Sequence, residues 1–246
     1  GELACGAIGP GRLAELDTIM GRVRNHFSQL QDLQGLRILV TAGPTHEPLD
    51  PVRYLSNPSS GKMGYAVAEK AKARGAEVVL ISGPTNLTPP VGIKFESCKT
   101  AAEMNSLVQK HFPECDVLLM SAAVGDFTAE KLEKEKIKKQ REEGRTLKLV
   151  ATKDILMEAS KIKTRQFVVG FAAETQNLIE SALEKLRKKK LDLIVANDIS
   201  APGIGFQSDN NQVTLIGSDE KIENLPRMTK KEIANILLDR ISCAKH

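Results

Sequence analysis

The chain has 246 residues, 41% hydrophobic and 27% charged, a balance that suits one large α/β domain or two small ones. The net charge of +4 fits anionic small molecules better than a nucleic-acid backbone, and the lack of Trp with only 4% aromatics disfavours recognition by base stacking. No apolar run is long enough to cross a bilayer, and the first residues carry no signal-peptide pattern.

In chain order, residues 1–34 read as a leader: a Gly-rich opening, "GELACGAIGPGRLAEL", then a helical stretch over 14–30, with the domain proper beginning at Gly35. "LRILVTAG" (36–43) is a short apolar run ending in Gly and predicts a buried strand. A Pro-rich loop runs from Pro44 to Pro58, and "SSGKMGYAVAEKAKARGA" then carries a helix that stops at Gly75. Strands follow at 77–83 and 93–98, then a helix over 100–113 with Thr100 and Glu103 at capping-box spacing, then a strand over 115–124. The stretch 127–147 is almost wholly charged and predicts a mobile loop or flap. Beyond it the rhythm resumes: strand "KLVAT", helix "DILMEASKI", strand "FVVGFAAE", helix "NLIESALEKLRKKK" and strand "LDLIVAND". "NQVTLIG" (211–217) alternates like a hairpin strand, and "TKKEIANILLDRI" (229–241) closes as a helix with Thr229 and Glu232 as a second capping box.

Strands alternating with helices predict an α/β fold: a doubly wound, mostly parallel sheet with a small β-hairpin extension. Ligands of such sheets bind at the carboxyl ends of the strands. Polar and small residues collect there: "AGPT", "SGPT", "SAAVGD", "GFAAET" and "ANDIS". One site assembled from many loops is the expectation.

The motifs narrow the chemistry. GxGxxG is absent after the first strand, and Ser82-Gly83 stands where a ribose-binding acid belongs, so a nicotinamide dinucleotide is poorly supported. "SSGKMG" (59–64) has Met63 where a P-loop places Ser or Thr, and Ser56 where it places its first Gly. Ser59, Ser60 and Gly61 still open a helix, where free N–H groups favour a phosphate. Lys185 and Lys189 share a helix face at i, i+4 spacing and suit a triphosphate tail. Phe171 suits either a base or the core, and Asp126 either a ligand contact or a loop cap. "EKIKK" (135–139) reads as a solvated basic run or as a Lys-bearing flap over a triphosphate. Cys5, Cys98, Cys115 and Cys243 form no CxxC, and His26, His46, His111 and His246 are scattered without HExxH. A zinc site or disulfide framework is not expected, the metal ligands stay unassigned, and a reducing cytoplasm is the expected setting.

"ILVTAGPTHEPLDPVRYLSNPSSGKMGYA", "SAAVGDF", "EKIKK", "VVGFAAET" and "LDLIVANDIS…GFQSDNN" together resemble the phosphopantothenoylcysteine synthetase domain of coenzyme A biosynthesis, over about residues 34–242. The resemblance implies a Rossmann-like domain over 35–246 that ligates 4′-phosphopantothenate to L-cysteine through an acyl-cytidylate, releasing CMP and pyrophosphate from CTP with Mg2+. It implies a homodimer, with no nucleic acid and no membrane as partners. "GELACGAIGPGRLAE" is similar to the last segment of the flavin-dependent decarboxylase that precedes this domain in bacterial bifunctional proteins. Residues 1–34 then read as its remnant plus a linker helix, Cys5 as an orphan, and no flavin is expected here. Carried over by motif, Asn57 resembles the Asn that supports capture of the acyl intermediate, and Lys136 the flap Lys of the first step. Arg53, Ser59, Ser60, Gly61, Ala122 and Ala123 match substrate positions, Arg53 across the dimer interface. Gly43, Asp126, Lys136, Phe171, Lys185, Lys189 and the segment Lys153, Asp154, Ile155, Leu156 match nucleotide positions. The chain departs from the family pattern at Lys153, where Pro is frequent, at Gly125, where Ala is common, and at Phe127, where Tyr or Trp is.

Overall fold

The computed structural model describes residues 14–20, 31–138, 146–174, 177–198 and 208–245. Cys5 and most of the expected leader, residues 139–145 of the expected flap, and residues 199–207 of the "ANDIS…GFQSDNN" motif lie outside the described residues.

Apolar alternation builds the sheet. In β1 (Arg37–Ala42), Ile38 and Val40 are buried toward one face and Leu39 toward the other. Parallel pairing joins β1 to β4 (Glu77–Ser82) and β4 to β5 (Lys94–Ser97). On its other side β1 pairs with β6 (Val117–Met120), which leads to β9 (Phe167–Glu174) and β10 (Leu193–Asp198). Antiparallel β12 (Val213–Gly217) and β13 (Ile222–Asn224) finish that edge. The sheet order is β13-β12-β10-β9-β6-β1-β4-β5. Its parallel strands reverse direction of winding at β1 and β6, the topological switch point of a doubly wound fold. The Rossmann-like expectation is therefore met, and β12–β13 is the expected hairpin extension.

Helices cover both faces. On one face α1 (Lys62–Ala73) and α5 (Lys230–Lys245) bury Val67, Ala71, Ile233, Leu237 and Ile241 over Val40, Leu80 and Val195. On the other, α2 (Ala101–His111), α3 (Ile155–Ile162) and α4 (Leu178–Lys188) bury Met104, Val108, Ala159, Ala182 and Leu186 over Leu39, Leu118 and Ile194. Gly64 lets α1 press on the first strand: a Cβ there would lie 2.6 Å from the Ala42 Cβ and 2.8 Å from the Thr41 carbonyl oxygen. Both capping boxes form. Glu103 N–H donates to Thr100 Oγ1 at 3.2 Å, and Thr229 N–H donates to a Glu232 carboxylate oxygen at 2.7 Å. Ahead of Gly35, Leu33 is fully buried, and Asp32 pairs with Arg74 at the end of α1.

Three local readings change. The Pro44–Pro58 loop contains a small hairpin, β2 (His46–Pro48) and β3 (Tyr54–Ser56), stiffened by His46 stacked on Tyr54 with ring centroids 3.8 Å apart. "KLVAT" does not join the main sheet. Its β8 (Leu149–Ala151), whose three residues are all exposed, pairs antiparallel with β7 (Phe127–Ala129), so the expected flap begins as a strand. The helix after "PSS" has Gly61 as its N-cap, not a Ser. Gly61 holds φ +76°, where an L side chain is strained, and no side chain caps the helix.

Candidate active site

Backbone hydrogen bonds lace the two strand ends of the switch point together. Ala123 N–H donates to Gly43 O at 2.9 Å, and Thr45 N–H donates to Ala123 O at 3.3 Å. Thr41 Oγ1 accepts from Ala122 N–H at 3.2 Å, and Thr45 Oγ1 accepts from Gly125 N–H at 2.8 Å. Both Thr side chains are fully buried, so these bonds are not shared with water. The β2–β3 hairpin returns the chain to this rim, where Ser56 Oγ donates to Thr45 O at 2.8 Å. Asn57 comes next. Its Nδ2 donates to Ala123 O at 3.3 Å and Val124 O at 3.1 Å, which commits the amide hydrogens to the backbone.

A cavity of about 720 Å3 opens at this rim, a volume within the range of small-molecule sites. Its first side carries Asn57, Ser59, Ser60 and Gly61, with Ala122, Ala123 and Asp126 of the strand end next to them. The N-cap of α1 there, Gly61, supplies no side-chain acceptor, and the first turn holds no acidic residue. Its second side carries Lys153, Asp154, Ile155 and Leu156 at the start of α3, with Lys185 of α4 and Lys189 at that helix's C-cap. Phe171 lines the cavity and also packs against the core.

The charges on the second side are partly consumed. Asp154 Oδ1 caps α3 by accepting from Met157 N–H at 3.1 Å, and Lys189 Nζ lies 2.8 Å from Asp154 Oδ2. Burial pushes the Asp154 carboxyl up, but Lys189 and the Met157 and Leu156 N–H groups outweigh it and hold the carboxyl below its ordinary value. Cys98 and Cys115 are not nucleophiles: burial pushes both thiols up to about 12.

Three expected residues do not line the cavity. Gly43 lies just behind it, its N 3.3 Å from where a Gly61 Cβ would be. Arg53 and Lys136 lie on a separate latch. Asp50 Oδ2 accepts from Ile137 N–H at 3.0 Å, Arg53 Nη2 donates to Ile137 O at 3.0 Å, and Glu133 N–H donates to Leu49 O at 3.1 Å. Burial pushes the Asp50 carboxyl up, yet the Ile137, Val52 and Arg53 N–H groups and the Arg53 guanidinium leave it below its ordinary value. Lys136 itself is exposed. The cavity also contains residues that sequence motifs did not single out. Lys62, Asn197, Asn211 and Lys230 all line it, and the buried Asn197 Oδ1 has no hydrogen-bond partner among the described residues.

A doubly wound sheet with a lysine-lined cavity at its switch point defines a class, the α/β domains whose ligand crevice lies at the carboxyl ends of the strands. Comparison narrows the class to a family: the chain belongs to the DNA/pantothenate metabolism flavoprotein C-terminal domain family, whose model matches residues 33–244. It is 47% identical over 245 residues to the coenzyme A biosynthesis bifunctional protein CoaBC of Escherichia coli K12, covering 98% of this chain and 60% of that protein. It is 44% identical to the CoaBC of Bacillus subtilis strain 168, with the same two shares. The chain thus spans about 60% of the length of these curated relatives. A crystal structure of the C-terminal domain of CoaBC matches with a TM-score of 0.75 at 41% identity, covering 87% of this chain and 97% of that one. The DNA/pantothenate metabolism flavoprotein of Streptococcus pneumoniae matches with a TM-score of 0.74 at 26% identity, covering 86% and 100%.

Proposed function

We propose that this domain ligates 4′-phosphopantothenate to L-cysteine, using CTP and passing through an acyl-cytidylate. The observation that carries the reading is Asn57, fixed by two backbone carbonyls at the mouth of a cavity whose opposite sides hold a helix N-terminus and lysines. The likeness to CoaBC proteins supports a step of coenzyme A biosynthesis, and the resemblance of the sequence motifs suggests the substrates.

The chemistry fits such a rim. A carboxylate is a poor electrophile, so its oxygen attacks the α-phosphorus of CTP and the bond to the β-phosphate oxygen breaks with its electron pair. The cysteine amine then attacks the acyl carbon, loses a proton, and expels CMP. Negative charge grows in each step, and preorganised N–H groups and ammonium groups stabilise it. Ser59, Ser60, Gly61, Ala122 and Ala123 hold the acid. Asp126, Phe171, Lys185, Lys189 and the 153–156 segment hold the nucleotide, with Gly43 supporting from behind. Among the described residues no three His, Cys, Asp or Glu side chains cluster as metal ligands. Magnesium would come with the triphosphate and would supply charge neutralisation on its oxygens.

Lys136 and Arg53 lie outside their own chain's cavity, and a homodimer in which the latch of one copy closes over the cavity of the other accounts for them. The domain takes residues 35–246, and residues 1–34 continue a decarboxylase segment that holds the flavin chemistry, so no flavin is expected here. The setting is cytoplasmic, with no nucleic acid or membrane as partner.

Pyrophosphate release measured with CTP and with ATP, each with and without phosphopantothenate, tests the reading. Release that requires both CTP and the acid is the expected result. No release with either nucleotide reduces the domain to a binding module.

A further inference from the structure

Asn57 directly follows the hairpin β2–β3, and the two strands of that hairpin are held unequally. β2 is tied into the domain. His46 N–H donates to Lys99 O at 2.7 Å. The Glu47 side chain is buried and accepts from Ala101 N–H, at the start of α2, at 2.8 Å. β3 lies further out: Tyr54, Ser56 and the following Asn57 are all exposed. A two-stranded hairpin is marginal by itself, so side chains that reach back from β3 add to what the ladder supplies. Ser56 Oγ donates to Thr45 O at 2.8 Å, and Tyr54 stacks on His46 with ring centroids 3.8 Å apart and planes 9° from parallel.

Resting on the ligase reading, we propose that His46 and Tyr54 are positioning residues for Asn57: their stack sets where β3 delivers the amide, and so governs capture of the acyl intermediate by the cysteine amine, not its formation.

Register carries the effect. His46 pairs with Ser56 and Pro48 with Tyr54, so His46 and Tyr54 are diagonal neighbours on one face of the ribbon. The stack therefore spans β3 up to the residue before Asn57. Neither ring lines the cavity, so their influence on a ligand there runs through Asn57. Burial pushes the His46 imidazole below its ordinary value, against the pull of the Glu47 charge, so the ring meets Tyr54 in its neutral form at neutral pH. Asn57 Nδ2 reaches Ala123 O at 3.3 Å and Val124 O at 3.1 Å, toward the long end of hydrogen-bond range, so a small outward shift of β3 weakens both bonds. The same shift leaves the far side of the cavity, with Lys185 and the 153–156 segment, where it is. Attack on the α-phosphorus is thereby spared, and attack by the amine on the acyl carbon is not.

Rapid-quench turnover of the full chain with CTP, phosphopantothenate and cysteine tests the assignment, with acyl-cytidylate and product read separately. Tyr54→Ala and His46→Ala should each slow the conversion of acyl-cytidylate to product about tenfold and leave its formation within about twofold of wild type. Tyr54→Phe, which keeps a stacking ring, should stay within about twofold of wild type in both steps. The double alanine variant should be no slower than either single one, because the two rings make one shared contact. Wild-type capture in both alanine variants overturns the proposal. So does equal slowing of both steps, the signature of a hairpin that has merely loosened, and so does loss of capture in Tyr54→Phe. Asn57→Asp run alongside separates the proposal from the reading beneath it. Failure of that variant, or of the wild-type chain, to form acyl-cytidylate overturns the ligase reading; accumulation in Asn57→Asp with none in the alanine variants overturns the stack alone.

Discussion

Two polar segments bring the two residues expected to carry the reaction, and the fold treats them differently. The segment 56–61 is laced to the strand ends of the switch point: Ser56 holds Thr45, and Asn57 holds Ala123 and Val124. The segment 133–137 is held by a backbone bond to Leu49 and by the side chains of Asp50 and Arg53, all within one turn. The first rests on buried sheet and is prebuilt. The second rests on a carboxylate, an arginine and one backbone bond to Leu49. Prebuilt geometry suits the group that orients the acyl carbon, and a releasable latch suits a lysine that arrives with the nucleotide.

The largest expected effect comes from breaking the fixed segment. Asn57→Asp sets a carboxylate against two carbonyl oxygens at about 3 Å, so both the loop and the capture step suffer. Product formation should fall about a hundredfold or more while acyl-cytidylate still accumulates, as quenched-flow sampling will show. Unimpaired product formation would remove Asn57 from the reaction.

Next comes the latch. Lys136→Gln should cut acyl-cytidylate formation. Mixed with Asn57→Asp chains and allowed to exchange, it should recover about a quarter of wild-type activity if each latch serves the partner's cavity, because half the dimers are mixed and one of their two sites is intact. No recovery places Lys136 with its own chain's site.

Gly61→Ala sharpens the comparison through stability. Its φ of +76° and the Thr85 Cγ2 only 2.8 Å from a new Cβ predict a loss of about 1–2 kcal/mol in denaturant unfolding. An unchanged midpoint would mean that the loop relaxes freely.

The smallest effect concerns pH. The Asp50 carboxyl is depressed in the folded chain, so its contribution is present above the ordinary carboxylate value and is lost as pH falls through the lower folded value. Hydrogen exchange at Ile137 should therefore quicken in acid before the core amides do, and Asp50→Asn should quicken it at neutral pH. Equal protection of Ile137 in wild type and variant would deny the latch.

The strands and caps were legible because period-two apolar runs and capping-box spacings are local signals. The hairpins β2–β3 and β7–β8 were not, since their residues are polar or exposed and their pairing comes from the rim they pack on. In the site, Asn57, Ser59, Gly61 and the α4 lysines carried motifs. Lys230 was hidden as the first residue of a capped helix, where a lysine ordinarily faces water, and its burial is visible only once α5 is laid against α1. Asn197 sat inside the "ANDIS" strand end without being singled out, because a strand-end Asn is common and its buried Oδ1, which has no partner among the described residues, shows only in the fold. Lys136 was legible as part of a motif, but its place on a latch outside the cavity was not.

Isotope transfer tests the central chemistry most directly. Phosphopantothenate labelled with 18O in its carboxylate, turned over with CTP and cysteine, should deliver one labelled oxygen into the phosphate of CMP. Unlabelled CMP, with the label in inorganic phosphate instead, would contradict attack on the α-phosphorus and the site built around it.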